Sequence, residues 1–208
     1  MLPFDLPGDV RLVALDISAD QLERNRIADE KIVGDLQRIE LPGRAFDMIV
    51  CWNVLEHLQR PEAAVARMSR WLRVGGTLVI GVPNLWSTKG LVTKFTPHAF
   101  HKWVYRHVLG EGDVTPFKTY FRSSISPGSL TTVAAENGLD LVYSEAYSGG
   151  IEKKLPRPLV TVMTGLAHVV SALSRGTVDA SLSEYVAVFT KSNVSESEAD
   201  TTSSAPTA

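Results

Sequence analysis

Short apolar runs alternate with stretches of helical periodicity along most of the chain. Strand-like runs are Val10–Leu15, Lys31–Gly34, Phe46–Trp52, Thr77–Val82, Leu139–Tyr147 and Glu184–Lys191. Helical patterns extend from Ser18 to about Ile27, from Pro61 to about Leu72, from Pro127 to Asn137, and over Leu159–Leu173. This alternation of types predicts an α/β protein built from βαβ units with a parallel sheet.

Local signals set several of the boundaries. Ser18 followed by Gln21 is typical of a capping box, and Leu22 is the apolar anchor of the short helix that follows. The pair Gly75-Gly76 is predicted to turn the chain into the strand that starts at Thr77. Gly138 is predicted to cap a helix in the left-handed conformation.

Polar side chains stand where the predicted strands end. Asp16, Asp35, Asn53 and Asn84 follow successive strands. Ligands of open α/β sheets bind beyond the carboxyl ends of the strands, and a carboxylate there accepts hydrogen bonds from ribose hydroxyls. The alternative is that Asp16 only initiates the next helix, where aspartate is common.

Composition narrows the class of protein. The chain has 208 residues and a formal net charge of −2, which argues against the strongly basic face of a nucleic-acid-binding protein. The single cysteine, Cys51, excludes an intramolecular disulfide framework. No apolar run approaches the ~20 residues of a membrane-spanning helix, and the first residues lack the pattern of a signal peptide. We therefore expect a cytoplasmic protein.

The motifs resemble those of class I S-adenosylmethionine-dependent methyltransferases of the small, Rossmann-like kind. The resemblance covers about Val10 to Lys191, and its most specific part is the pair FDMIVCWNVLEHL and LRVGGTLVIGVPN. It implies a doubly wound, mostly parallel sheet whose last strand, EYVAVFTK, is antiparallel. It also implies S-adenosylmethionine as the cofactor.

The resemblance assigns roles to particular residues. Asp16 would bind the ribose hydroxyls, and Ile17 would pack on the adenine. Asp35 would accept from the adenine amine, with the Leu36 backbone N–H beside it. The same resemblance implies that Trp52 and Asn53 lie near the methionine and methyl end of the cofactor.

One part of the family pattern is absent. Members have a first strand, a glycine-rich loop and a helix before the segment that matches Val10–Leu15, whereas only nine residues precede Val10 here. We expect a truncated start, which would expose apolar side chains such as Leu12, Val13 and Val50. The methyltransferase-like domain would then span residues 1–191, and residues 192–208 would form a disordered tail.

His57 is the candidate acid or base, four residues after Asn53 on a predicted helical turn. In related quinone-pathway methyltransferases a Glu-x-x-Glu-His run at this place is linked to a divalent metal. In this chain the corresponding run begins with Asn53 and ends in Glu56 and His57, so an amide replaces the first carboxylate. No metal site is therefore predicted. The alternative for His57 is a capping or buried, hydrogen-bonded histidine.

The region of about residues 85–121 is predicted to be an insert that recognises substrate or forms a lid. Its segment Leu91–His107 interleaves aromatic and basic residues, which fits an anionic or glycosylated acceptor or a peripheral contact with a membrane. The alternative is a helical insertion that packs against the rest of the protein. Nucleic-acid binding is disfavoured by the overall charge.

Two functions follow from these observations. The first is methyl transfer from S-adenosylmethionine to a small-molecule, sugar or lipid-linked acceptor. The second is a non-catalytic methyltransferase-like remnant or partner protein that has lost cofactor binding. A short-chain oxidoreductase is excluded because neither Tyr105 nor Tyr120 has a lysine four residues later.

Overall fold

A computed structural model describes residues 9–84, 87, 119–120, 122–148, 157–173 and 181–193 of the chain. The strands are β1 Val13–Asp16, β2 Glu30–Val33, β3 Phe46–Trp52, β4 Leu72–Pro83, β5 Leu139–Tyr147 and β6 Glu184–Lys191. The α-helices are α1 Ala19–Arg24, α2 Pro61–Trp71, α3 Pro127–Glu136 and α4 Arg157–Leu173, and 3-10 turns cover Leu55–His57 and Ser123–Ile125. The chain divides into unit 1, Met1–Pro42, and unit 2, Gly43–Ala208.

Unit 1 contains β1, α1 and β2. The two strands pair in parallel, with Val13 opposite Glu30 and Asp16 opposite Val33. The predicted N-cap is confirmed, because the Ser18 side chain accepts a hydrogen bond from the Gln21 N–H at 3.3 Å.

Helix α1 is shorter than the predicted helix to Ile27. It ends at Arg24, and the Asn25 side chain accepts hydrogen bonds from the N–H groups of Ile27 and Ala28, each at 3.0 Å. This Asx turn competes with further helical hydrogen bonds and therefore sets the boundary. The predicted anchor Leu22 is buried.

Unit 2 contains a four-stranded sheet in the order β3-β4-β6-β5. Strands β3 and β4 are parallel, and β6 is antiparallel to both of its neighbours. The predicted α/β class and the antiparallel last strand are therefore confirmed. Helix α2 packs against β4 and α3, and the buried side chains at the centre are Ala64, Val65, Met68, Leu78, Ile80, Leu130, Ala134, Ala187 and Phe189.

The Gly75-Gly76 pair lies inside β4 instead of before it, which corrects the predicted start at Thr77. Phe46 pairs with Leu72 and Met48 already pairs with Thr77, so the residues between Leu72 and Thr77 bulge out of the ladder. Gly75 has a φ of +75°, and a Cβ on Gly76 would lie 2.9 Å from the Arg73 backbone oxygen. The bulge thus needs glycine at both positions.

Four strands have an open edge within the described residues, since β1 and β2 pair there only with each other, β3 only with β4, and β5 only with β6. On β3, Met48 is 57% exposed and Val50 is 38% exposed, so the predicted exposure of Val50 is observed. Leu12 and Val13 are half-buried, so the same expectation is only partly met for them.

Two further predictions concern residues that follow a helix or a strand. Gly138 has a φ of +68° and follows α3, as predicted. Ser192, predicted to begin the tail, instead hydrogen-bonds the Gly138 carbonyl through both its N–H and its hydroxyl, at 3.0 and 2.9 Å. The later tail and nearly all of the insert at residues 85–121 lie outside the described residues. Among the described helices none is long and apolar enough to cross a membrane.

Candidate functional site

Asp16 and Asp35 lie at the same end of the parallel pair in unit 1. Asp16 is the last residue of β1, and Asp35 follows β2 by two residues. The Asp16 carbonyl accepts a hydrogen bond from the Gly34 N–H at 2.9 Å, which ties the two strand ends together. Both carboxylates thus belong to the carboxyl edge where α/β sheets bind ligands.

Each carboxylate has local partners. Asp16 Oδ1 accepts from the Ser18 N–H at 2.8 Å. Asp35 Oδ1 accepts from the Gln37 N–H at 2.9 Å, and its Oδ2 lies 3.6 Å from Arg38 Nε. These turns fix the orientation of both side chains, and Asp16 Oδ2 accepts no hydrogen bond from the described residues.

The neighbouring residues fit a nucleoside. Ile17 is 67% exposed and directly follows β1, so it offers an apolar surface on which a planar base can rest. The Leu36 N–H lies in the turn after Asp35 and donates no hydrogen bond within the part of the chain that is described. A carboxylate, an apolar surface and a free N–H at one edge match the chemistry of a ribose and an adenine.

In unit 2, Trp52 ends β3 and is 42% exposed. A Cβ on Gly81 would come within 2.5 Å of Trp52 Cδ2, so the indole lies directly over this glycine on the neighbouring strand. A larger side chain at position 81 would displace the ring. Gly81 therefore positions Trp52 at the strand end.

Asn53 adopts a φ of +53°, a conformation that asparagine tolerates better than most residues. Its N–H donates to the Gly81 carbonyl at 2.9 Å, which continues the β3–β4 ladder by one residue. Strained backbone of this kind is concentrated at functional sites, where the surrounding structure holds it in place. The sharp turn at Asn53 directs the chain into the 3-10 turn Leu55–His57.

The turn Leu55–His57 presents His57 beside a buried carboxylate. The His57 side chain is 30% exposed, and its Nε2 lies 3.8 Å from Glu56 Oε1, while the Glu56 side chain is only 6% exposed. The Glu56 carbonyl accepts from the Tyr120 N–H at 2.7 Å. The predicted helical turn is therefore present, and its backbone is hydrogen-bonded to Tyr120, which belongs to the region predicted as the insert.

Cys51 lies just before Trp52 in β3 and is buried. Burial, and secondly the negative charge of Glu56, raise the pKa of its thiol from 9.0 to about 12. The thiol is therefore neutral and poorly nucleophilic under ordinary conditions. Cys51 belongs to the core behind the strand end.

No group of three or more metal-ligating side chains comes together among the described residues. The sequence argument missed Gly81 at the strand end, and it named Glu56 only as part of the Glu-x-x-Glu-His comparison, without predicting its burial. The signal for Gly81 was available, because a glycine inside an apolar strand marks a close approach of another group. Glu56 gave no such signal, since its burial depends on the packing of distant residues.

Comparison with known proteins finds similarity over parts of the chain. Residues 3–80 match the methyltransferase domain family. The structure is similar to that of an S-adenosylmethionine-dependent methyltransferase from Archaeoglobus fulgidus, with a TM-score of 0.52 and 15% identity over 86% of this chain and 75% of that chain. At 15% identity this similarity shows only that the two proteins share a fold.

Two relatives by sequence cover parts of the chain. An uncharacterized protein of Methanocaldococcus jannaschii is 31% identical over 81 residues, which are 39% of this chain and 36% of that protein. The ubiquinone/menaquinone biosynthesis C-methyltransferase of Cupriavidus metallidurans is 26% identical over 156 residues, 69% of this chain and 62% of that enzyme. The chain thus spans less than two thirds of the length of either relative.

The matched domain, the sheet with its antiparallel last strand and the polar strand ends agree with one another. The family uses S-adenosylmethionine as its cofactor. Residues 3–80 of this chain thus match a methyltransferase domain, and its fold is similar to that of S-adenosylmethionine-dependent methyltransferases.

Proposed function

We propose that the protein transfers a methyl group from S-adenosylmethionine to a small-molecule acceptor. The observation that carries the proposal is the placement of Asp16 and Asp35 on adjacent parallel strand ends, joined by the hydrogen bond from Gly34 to the Asp16 carbonyl. In this proposal Asp16 holds the ribose hydroxyls, Ile17 supports the adenine, and Asp35 with the Leu36 N–H recognises its polar edge. These contacts fix the nucleoside without covalent chemistry.

The strand end of unit 2 supplies the other part of the proposal. When bound, S-adenosylmethionine supplies a methyl group attached to a positively charged sulfur. In the proposal Trp52, held by Gly81, and Asn53 contact the methionine portion. Because methyl transfer depends chiefly on in-line placement of the acceptor, such positioning is the main contribution the chain must make.

His57 is proposed as the base that removes a proton from the acceptor. It is partly exposed, and its Nε2 lies 3.8 Å from Oε1 of the buried Glu56 side chain. A base is needed only if the acceptor atom carries a proton, as in a hydroxyl or an acidic carbon. The Cupriavidus metallidurans relative is named a C-methyltransferase, which makes a carbon acceptor the first to test.

The acceptor itself is proposed only as a class. Small aromatic or quinone-like molecules are the first choice, and sugar or lipid-linked acceptors, which the basic aromatic segment Leu91–His107 would suit, are the second. Nucleic acid is not proposed as the acceptor, because the net charge of −2 does not favour it.

Calorimetric titration of the full chain with S-adenosylhomocysteine tests cofactor binding, with adenosine and methionine titrated separately. We expect saturable binding of S-adenosylhomocysteine with one site per chain, and weaker binding of adenosine alone. The non-catalytic alternative predicts no heat for any of the three ligands at high protein concentration. That result would reject the proposal and leave the chain as a methyltransferase-like partner protein.

A further inference from the structure

A cationic pocket lies in unit 2 at the end of the sheet opposite to Asn53. The pocket has a volume of about 480 Å³, and among the described residues its lining includes Arg44, Arg70 and Lys191 but no aspartate or glutamate. Arg44 comes two residues before β3, whereas Asn53 follows the other end of that strand. A seven-residue strand spans roughly 23 Å, so the pocket is remote from the proposed methyl-transfer site.

Lys191 lines this pocket without an ionic partner among the described residues. Its Nζ donates to Ser69 Oγ at 2.6 Å and to the Asn137 carbonyl at 3.0 Å. Ser69 is buried, and its hydroxyl donates to the same carbonyl at 2.6 Å. Both acceptors are neutral, and an ammonium has three N–H donors, so one remains for a ligand.

The cations of the pocket repel one another. Burial, and secondly the charge of Arg44, lower the pKa of Lys191. An anion bound between these two side chains would remove the repulsion and supply the missing hydrogen-bond acceptors.

The carbonyl groups at the C-terminus of helix α2 do not repel an anion in this pocket. The carbonyl groups of Arg70 and Trp71 would otherwise present partial negative charge, but they accept from the N–H groups of Arg44 and Ala45 at 3.1 and 2.8 Å. The loop before β3 thus satisfies the helix end and brings the Arg44 side chain to the pocket.

We propose that this pocket binds the phosphate group of a small phosphorylated molecule. The guanidinium and ammonium groups that line the pocket suit the tetrahedral oxygens of phosphate, and arginine can bind two of them at once. The volume exceeds that of a phosphate ion and falls in the range of small-molecule pockets. Val74, 43% exposed at the rim, offers an apolar contact to the remainder of the molecule.

Calorimetric titration of the full chain with ribose 5-phosphate, at constant ionic strength set by chloride, tests this proposal. We expect saturable binding of ribose 5-phosphate, weaker binding of inorganic phosphate and none of ribose. Arg44→Asn and Lys191→Met should each weaken binding at least about tenfold, since each removes a charged hydrogen-bond donor. Asparagine suits the left-handed backbone of Arg44, which has a φ of +56°.

Arg122→Gln is the matched control, because Arg122 is an exposed arginine that does not line the pocket. Absence of saturable binding, or an equal loss in Arg122→Gln, would overturn the proposal, as would tighter binding of a single-stranded oligonucleotide than of ribose 5-phosphate. Lys191 is partly buried, so its variant is first checked by thermal unfolding. Arg44→Asn, at an exposed position, keeps the test decisive if Lys191→Met does not fold.

The proposal is independent of cofactor binding. Ribose 5-phosphate should bind equally well in the presence of saturating S-adenosylhomocysteine, since none of the residues that line the pocket is assigned to the cofactor. Competition between them would place both ligands in one site and reject the separate pocket.

Discussion

The Trp52 indole lies against Gly81 so closely that a Cβ atom on the glycine would come within 2.5 Å of Trp52 Cδ2. The two residues are paired across the parallel strands β3 and β4. A glycine in the middle of an apolar strand thus determines where a large aromatic side chain rests at the proposed methyl-transfer site.

Gly81→Ala should displace Trp52 and lower the free energy of unfolding by about 1–3 kcal/mol, the usual cost of overpacking. Urea denaturation measures this change. Gly128→Ala is the control, because a Cβ at Gly128 in helix α3 meets nothing within 4 Å. That variant should be neutral or stabilising by up to about 1 kcal/mol. Equal stability of both variants would show that Trp52 does not depend on Gly81.

Asp16→Asn should weaken S-adenosylhomocysteine binding by ~1–3 kcal/mol, because an amide oxygen replaces a charged acceptor at the ribose. The amide can still accept the hydrogen bond from the Ser18 N–H, so the turn after β1 is expected to remain intact. Calorimetry measures the affinity. Asp20→Asn, an exposed carboxylate in the first turn of α1, serves as the control and should bind normally. An unchanged affinity in Asp16→Asn would remove this residue from the site.

Cys51 should not react with a disulfide reagent in the native protein at pH 8, and should react fully once the protein is unfolded in urea. It is the only cysteine in the chain, so the absorbance change reports this residue alone. Rapid labelling of the native protein would show that the strand end opens to solvent.

Because folding raises the pKa of the Cys51 thiol, we expect the free energy of unfolding to depend on pH. Folding raises the pKa of Cys51 from 9.0 to about 12, so above pH 9 the unfolded chain loses a proton that the folded chain retains. This contribution to stability is complete below pH 9 and should be lost progressively between pH 9 and about 12. Cys51→Ala should show a shallower fall over this range in urea titrations at several pH values.

His57→Ala should reduce the rate of methyl transfer by about 10²–10⁴ while S-adenosylhomocysteine still binds, if the acceptor loses a proton to this residue. Transfer of a radiolabelled methyl group to a panel of quinols and phenols provides the measurement. A loss of folding in His57→Ala, detected by thermal unfolding, would instead support a structural role beside Glu56. Asp20→Asn again gives the reference rate for an unrelated surface change.

Sequence alone determined the type and order of the elements. The strands Phe46–Trp52, Leu139–Tyr147 and Glu184–Lys191 have the predicted limits, because their apolar patterns are long and are bounded by strong turn signals. Asp16 and Asp35 were predicted at strand ends for the same local reason, since the chain changes from apolar to polar at both positions. The resemblance to a methyltransferase family followed from these stretches.

Tertiary structure decided what depends on residues distant along the chain. The bulge that places Gly75 inside β4 follows from the pairing of β4 with β3, and the contact of Trp52 with Gly81 follows from the same pairing. The burial of Glu56 and the cationic pocket at Lys191 also arise from packing between segments far apart in sequence. The periodicity of the sequence indicates only which residues avoid water. The close contact of two side chains and the clustering of like charges arise when segments distant in sequence pack together. Only the folded chain therefore reveals these features.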